Sequence, residues 1–213
     1  MTHEVVSAPR AGIRAFFAVE LNEASRNSAC VVADSLRRQP GGDAVRWVPP
    51  GNFHVTLRFL GEIAPESVSE LAGAVAREVR SHRPFDVELG GVQVFPNRRQ
   101  PRVIALDVRP HAPLQALAES VERGVESRGF ERELRAFHSH LTLGRVRRRP
   151  PKLGDLPEPR ATPSTVSEVV LFRSALDRRG ATYHALERLA MKDVQHPSHH
   201  VLEDQDHVKK RDR

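Results

Sequence analysis

Cysteine is all but missing from this 213-residue chain, with Cys30 the only one. No internal disulfide can form, so the fold must rest on its core. Cys30 falls within a helical pattern and reads as a small core residue rather than a nucleophile. Long apolar runs are missing too: none approaches the roughly 20 residues of a membrane-spanning helix. The first residues, Met1 to Arg10, lack the apolar centre of a secretory signal. A cytoplasmic protein with no membrane attachment is the expectation. Lysine is scarce, occurring only at 152, 192, 209 and 210, although Lys and Arg together number 33 against 27 acidic residues. The formal charge of +6 is therefore carried almost wholly by arginine. Arginine binds phosphate through a planar, bidentate fork that lysine cannot offer. Two readings stand side by side: a compositional bias toward Arg, and a polyanionic substrate such as RNA.

The length suits one large domain or two small lobes. Residues 1–11 read as a loose leader, and Ile13 to Glu20 as a strand. Asn22 is placed to cap a helix reaching about Arg38, which Pro40-Gly41-Gly42 ends. Val45 to Val48 is a short extended piece. Pro49-Pro50-Gly51-Asn52 then turns the chain into a strand running to about Leu60. Ala64-Pro65-Glu66 opens a second helix, with Val68, Leu71, Val75 and Val79 as its buried stripe. Phe85 to Phe95 reads as a strand bent near Gly90-Gly91, and Arg102 to Val108 as another. Leu114, Leu117, Ala118, Val121 and Val125 mark a third helix, stopped at Gly129. Further strands are expected at Ser139 to Val146, Thr165 to Phe172 and Thr182 to Leu189. Residues 147–163 read as a loop, and Asp177-Arg178-Arg179-Gly180 as a hairpin turn. Residues 1–194 are expected to form one domain, and 195–213 a polar, disordered tail.

Two stretches echo each other: His54-Val55-Thr56-Leu57 and His140-Leu141-Thr142-Leu143. Side chains alternate faces along a strand. His54 and Thr56 therefore share a face, about 6.5–7 Å apart along the strand, while Val55 and Leu57 enter the core. His140 and Thr142 repeat this against Leu141 and Leu143. If the two strands lie side by side, two imidazoles and two hydroxyls converge on one cleft. Imidazole titrates near neutrality, so one ring can activate water while the other protonates a leaving oxygen. The hydroxyls can donate to non-bridging phosphate oxygens. Such a group makes a metal-free phosphodiesterase site.

The paired motifs resemble the two HxTx motifs of the 2H phosphoesterases. Arg46-Trp47-Val48-Pro49-Pro50 before the first motif, Phe59-Leu60-Gly61-Glu62 after it, Phe95-Pro96 and Leu171-Phe172-Arg173-Ser174 narrow the likeness. These stretches are similar to the RNA 2′,3′-cyclic phosphodiesterases, also called LigT-like 2′-5′ RNA ligases. The resemblance runs from about Ile13 to Leu189. It implies an α+β, bilobal, pseudo-symmetric fold: two antiparallel sheets flanked by helices around a central cleft. It also implies hydrolysis of a terminal 2′,3′-cyclic phosphate to a 2′-phosphate, with no cofactor or metal, and the reverse 2′-5′ ligation. By motif, His54 would be the proton donor to the departing 3′ oxygen and His140 the base. Thr56, Thr142 and Arg145 would hold the phosphate, and Phe95 would stack on a terminal base. The implied partners are RNA ends such as tRNA fragments, or cyclic nucleotides, bound by a monomer. The chain departs from close relatives at Phe137-His138-Ser139, where Arg-Pro is frequent.

Two other functions set the alternatives. A metal-dependent phosphohydrolase would use His138 and His140, but no acidic or Cys ligand nearby in sequence completes a site. A non-catalytic RNA-binding protein would need the basic surface but not both His-x-Thr pairs.

Overall fold

A computed structural model describes residues 12–147, 154, 156–176 and 181–192. The expected leader, hairpin turn and polar tail lie outside these residues. The described chain runs β1 (Ile13–Glu20), α1 (Glu23–Arg37), β2 (Val45–Trp47), β3 (His54–Ile63), α2 (Val68–Val79), β4 (Phe85–Phe95) and β5 (Val103–Arg109). It continues with α3 (His111–Glu126), β6 (His140–Val146), β7 (Ser164–Val166), β8 (Glu168–Leu176) and β9 (Ala181–Ala190). Local signals act as expected. The Asn22 side chain accepts the Ser25 N–H at 2.9 Å and caps α1. Gly129 takes a positive φ of 84° just past α3. One departs: Pro65-Glu66-Ser67, expected to open the second helix, forms a separate 3₁₀ turn, and α2 starts at Val68. No described helix is long and apolar enough to cross a membrane.

All described strand pairs are antiparallel. The order is β7-β4-β5-β6-β3-β1-β8-β9, with β2 beside β6. The two expected sheets are thus the two halves of one curled sheet. They join where β3 meets β6, through one registered pair, Val55 with Leu141. The sheet also corrects one expected strand. Thr165 to Phe172 is two strands, broken at Ser167. β7 pairs with β4 in one half, and β8 pairs with β1 in the other. The apolar pattern runs through both, because both pieces bury Val or Leu. Only their distant partners separate them.

One face of the sheet carries the main core. Phe17, Val19, Val55, Leu57, Leu106, Leu141, Leu143 and Leu171 pack there with the buried stripes of all three helices. α2 lies on α3 at close range: a Cβ on Gly124 would stand 2.7 Å from the Val75 Cα. A side chain there must push helix backbones apart, so Gly124→Val is expected to cost roughly 1–3 kcal/mol by overpacking. Gly73, on the exposed side of α2, meets nothing within 4 Å. Gly73→Ala is expected to stabilise the protein by about 0.5–1 kcal/mol. Urea unfolding of the two variants checks both signs.

Candidate active site

The opposite face of the sheet is where the two motifs meet. Val55 and Leu141 are the middle residues of their motifs, and they are the registered pair at the seam. Antiparallel alignment about that pair sets His54 across from Thr142 and Thr56 across from His140. Each histidine is offered to the other motif's threonine, and an approximate twofold axis runs between the strands. The four side chains are half-buried, while Val55, Leu57, Leu141 and Leu143 are buried beneath them. The alternation expected from each motif is the alternation observed.

The rings are fixed by their Nδ1 atoms. The His54 Nδ1–H donates to the Asn52 carbonyl at 2.8 Å. The His140 Nδ1–H donates to the His138 carbonyl at 2.7 Å. A carbonyl can only accept, so in each neutral ring Nε2 is the unprotonated nitrogen: on His54 its lone pair accepts the Thr56 hydroxyl, and on His140 it faces the cleft. The Nε2 of His54 lies 3.0 Å from the Thr56 hydroxyl. Aromatic side chains close over His54: Phe16 at 4.8 Å between ring centres and Tyr183 at 5.2 Å, with Phe172 stacked on Phe16. His140 has a more open setting. It lines a cleft of about 540 Å³ together with Thr56, Arg58, Phe137 and His138. Beside one wall of this cleft, residues 132–138, stands the ion pair of Arg58 with Glu122 at 2.7 Å. Arg58 also donates to the Glu131 carbonyl, and Glu122 accepts the Glu133 N–H.

Burial pushes His54 down to about 4, with the charges of His140 and Arg145 adding to the push. The Asn52 carbonyl and Glu20 oppose it. Burial also lowers His140, again helped by Arg145 and by His138 and opposed by the His138 carbonyl. Both rings are therefore neutral at pH 7 in the free protein, and Arg145 lies near enough to act on both. The same shift has a consequence for folding. An unfolded His54 would titrate near 6.5 and the folded one near 4. The unfolded chain therefore binds the extra proton between these values. The contribution to stability is complete above pH 6.5 and is lost as pH falls toward 4, by about 3 kcal/mol in all. Denaturant unfolding from pH 7 to 4 should show this slope, and His54→Gln should flatten it.

Of the other residues named from sequence, Arg145 is exposed on the strand that carries His140 and Thr142. The half-buried Phe95 ring lies 5.3 Å from that of His140 and 6.4 Å from that of His138. His138 is exposed and precedes β6, so it sits at the cleft mouth. The carboxylate registered beside His140 is Asp107, only 3% exposed. It is already engaged by Arg109 at 2.5 Å and His111 at 2.9 Å. Among the described residues no three His, Cys, Asp or Glu side chains are grouped to hold a metal ion. Sequence reading did not select Phe16, Phe172 or Tyr183. They reach His54 from β1, β8 and β9, far off in the chain. Two signals were usable: Phe172 lies in the Leu171-Phe172-Arg173-Ser174 stretch that carries the family likeness, and Tyr183 is the sole tyrosine.

Known proteins resemble this chain in sequence and in fold. A family model described as LigT like Phosphoesterase matches residues 19–105 and again 106–183, one His-x-Thr motif in each match. A protein of Methanothermobacter thermautotrophicus named RNA 2′,3′-cyclic phosphodiesterase is 35% identical over 182 residues, which is 82% of this chain and 97% of that one. The crystal structure of TT0787 from Thermus thermophilus superposes with a TM-score of 0.73 at 29% identity, over 84% of this chain and 97% of the other. E. coli LigT complexed with 3′-AMP gives 0.72 at 28% identity, over 85% and 99%. With both matches of the family model placed on the two strands that cross at Val55 and Leu141, the chain belongs to the LigT-like phosphoesterases.

Proposed function

We propose that this protein hydrolyses the terminal 2′,3′-cyclic phosphate of RNA to a 2′-phosphomonoester by two-histidine acid–base catalysis without a metal ion. The observation that carries the reading is the crossed arrangement of His54-x-Thr56 and His140-x-Thr142 about one strand pair. The names of the curated relatives and the 3′-AMP complex of LigT support the substrate class.

In this reading the phosphate sits between the rings. His140, facing the open cleft, takes a proton from water through Nε2, and the oxygen attacks phosphorus. The bond to the 3′ oxygen breaks. His54, sheltered under Phe16 and Tyr183, delivers its Nε2 proton to that oxygen. His140 ends protonated and His54 neutral, and solvent resets both. Because His54 is neutral in the free protein at pH 7, it gains its proton when the phosphate anion arrives and favours the imidazolium. Thr56, Thr142 and Arg145 stabilise charge on the non-bridging oxygens, and Phe95 offers a ring to the terminal base. Run backward, the same residues would join RNA ends through a 2′-5′ bond.

An RNA oligonucleotide ending in 2′,3′-cyclic phosphate, incubated in EDTA, tests the reading. The expected result is undiminished conversion to the 2′-phosphate isomer, with a bell-shaped pH profile. Activity that vanishes in chelator and returns with zinc would favour a metallohydrolase built on His138 and His140. Tight binding of the RNA without turnover would favour a binding protein.

A further inference from the structure

Arg46 and Arg145 are registered partners on β2 and β6. Val45 and Trp47, on either side of Arg46, pack into the core. Gly144, just before Arg145, lies so close to them that a Cβ would come 2.5 Å from Val45 Cγ1. β6 is bulged between Thr142 and Gly144, where two residues of β5 face three of β6, so Gly144 rather than Arg145 turns toward the core and both arginines project from the face that carries the histidines. Both are exposed, and among the described residues neither has a carboxylate partner. Like charges set directly opposite one another destabilise a sheet. An anion between them removes that penalty and receives two guanidinium forks. Tyr183 belongs to the same cluster: its phenol, pushed up by burial, feels the opposing field of both Arg145 and Arg46. Its ring stands edge-on to His54.

The position matters as much as the charge. Arg145 lies three residues past Thr142, about 10 Å along the strand. Its charge acts on both histidines. Arg46 lies on the far side of Arg145 from β5, and its charge is felt at Tyr183 but is not among the causes acting on either histidine. The arginine pair thus extends the phosphate site by a distance comparable to one nucleotide. An RNA end has an anion at such a place: the phosphodiester on the 5′ side of its terminal nucleoside. A cyclic mononucleoside phosphate has none.

We propose that Arg46, with the Tyr183 hydroxyl and with Arg145 shared between the two phosphates, holds the phosphodiester 5′ to the terminal nucleoside, and so selects oligonucleotide ends over cyclic mononucleotides. This rests on the function proposed above. Three substrates test it: adenosine 2′,3′-cyclic phosphate, the dinucleotide ApA with a 2′,3′-cyclic end, and the same dinucleotide with an uncharged methylphosphonate linkage. The wild-type kcat/KM should be about 10–100-fold higher for the charged dinucleotide than for the methylphosphonate, as for a charge-assisted contact. Arg46→Gln should abolish that difference, chiefly through KM, and should reduce the salt dependence measured on the charged dinucleotide. Equal losses in the variant on all three substrates would place Arg46 at the reacting phosphate or in the fold, and would overturn the proposal. So would a wild-type enzyme indifferent to the methylphosphonate. A wild-type protein that opens none of the three cyclic phosphates overturns the functional reading itself, and this inference with it.

Discussion

Alanine at His54 or at His140 is expected to slow hydrolysis of a cyclic-phosphate RNA end by at least about 100-fold, the lower range for loss of a general acid or base. The two losses should differ in kind. Opening the ring expels the 3′ oxygen, a poor leaving group that needs a proton. A nitrophenyl phosphodiester leaves without one. On that substrate His54→Ala should regain much of its lost rate, whereas His140→Ala should stay impaired because water must still be activated. The surroundings of the rings agree with this division: His140 lines the open cleft, and His54 lies under Phe16 and Tyr183. Rescue of His140→Ala alone would exchange the two roles.

The second large effect should come from the threonines. Thr56→Val and Thr142→Val keep the shape of the side chain and delete its donor. Each should lower kcat/KM by about 10–1000-fold, the upper end being typical of a preorganised oxyanion contact. The Thr56 hydroxyl also lies 3.0 Å from His54 Nε2, a contact that fixes the ring. Thr56→Val should therefore disturb the pH profile as well as the rate, and Thr142→Val the rate alone. Full activity in both variants would mean that the hydroxyls only pack, and that the phosphate is held elsewhere.

What the sequence disclosed was local. Each His-x-Thr pair could be assigned to one strand face because the two-residue period is contained in four residues. Asn22 and Gly129 could be assigned to helix ends because caps are set by their nearest neighbours. The crossing of the motifs could not be read this way. It depends on Val55 meeting Leu141, which no local pattern encodes. The break at Ser167 was hidden for the same reason, since β7 and β8 share one apolar pattern and differ only in partner. Around His54, the aromatic cover comes from three strands that are distant in sequence. Arg46 stood within a stretch already noted for its family likeness, yet its pairing with Arg145 is a matter of register.

The placement of β1 between β3 and β8 also bears on how the chain is made. Phe16 is registered with Phe59 on one side and Phe172 on the other. The first partner leaves the ribosome soon after β1. The second, Phe172, follows 113 residues after Phe59, a delay of roughly 6–23 s at 5–20 residues per second. Through that interval β1 is an unprotected sheet edge carrying Phe16-Phe17-Ala18-Val19, all of them buried in the finished protein. Such an edge invites pairing with other chains until β8 covers it. The same delay postpones the closing of His54, because Phe172 and Tyr183 arrive only with the last two strands. A nascent chain that already displays both histidines thus still leaves the His54 ring uncovered, and the aromatic setting of that ring is completed only when β8 and β9 are in place.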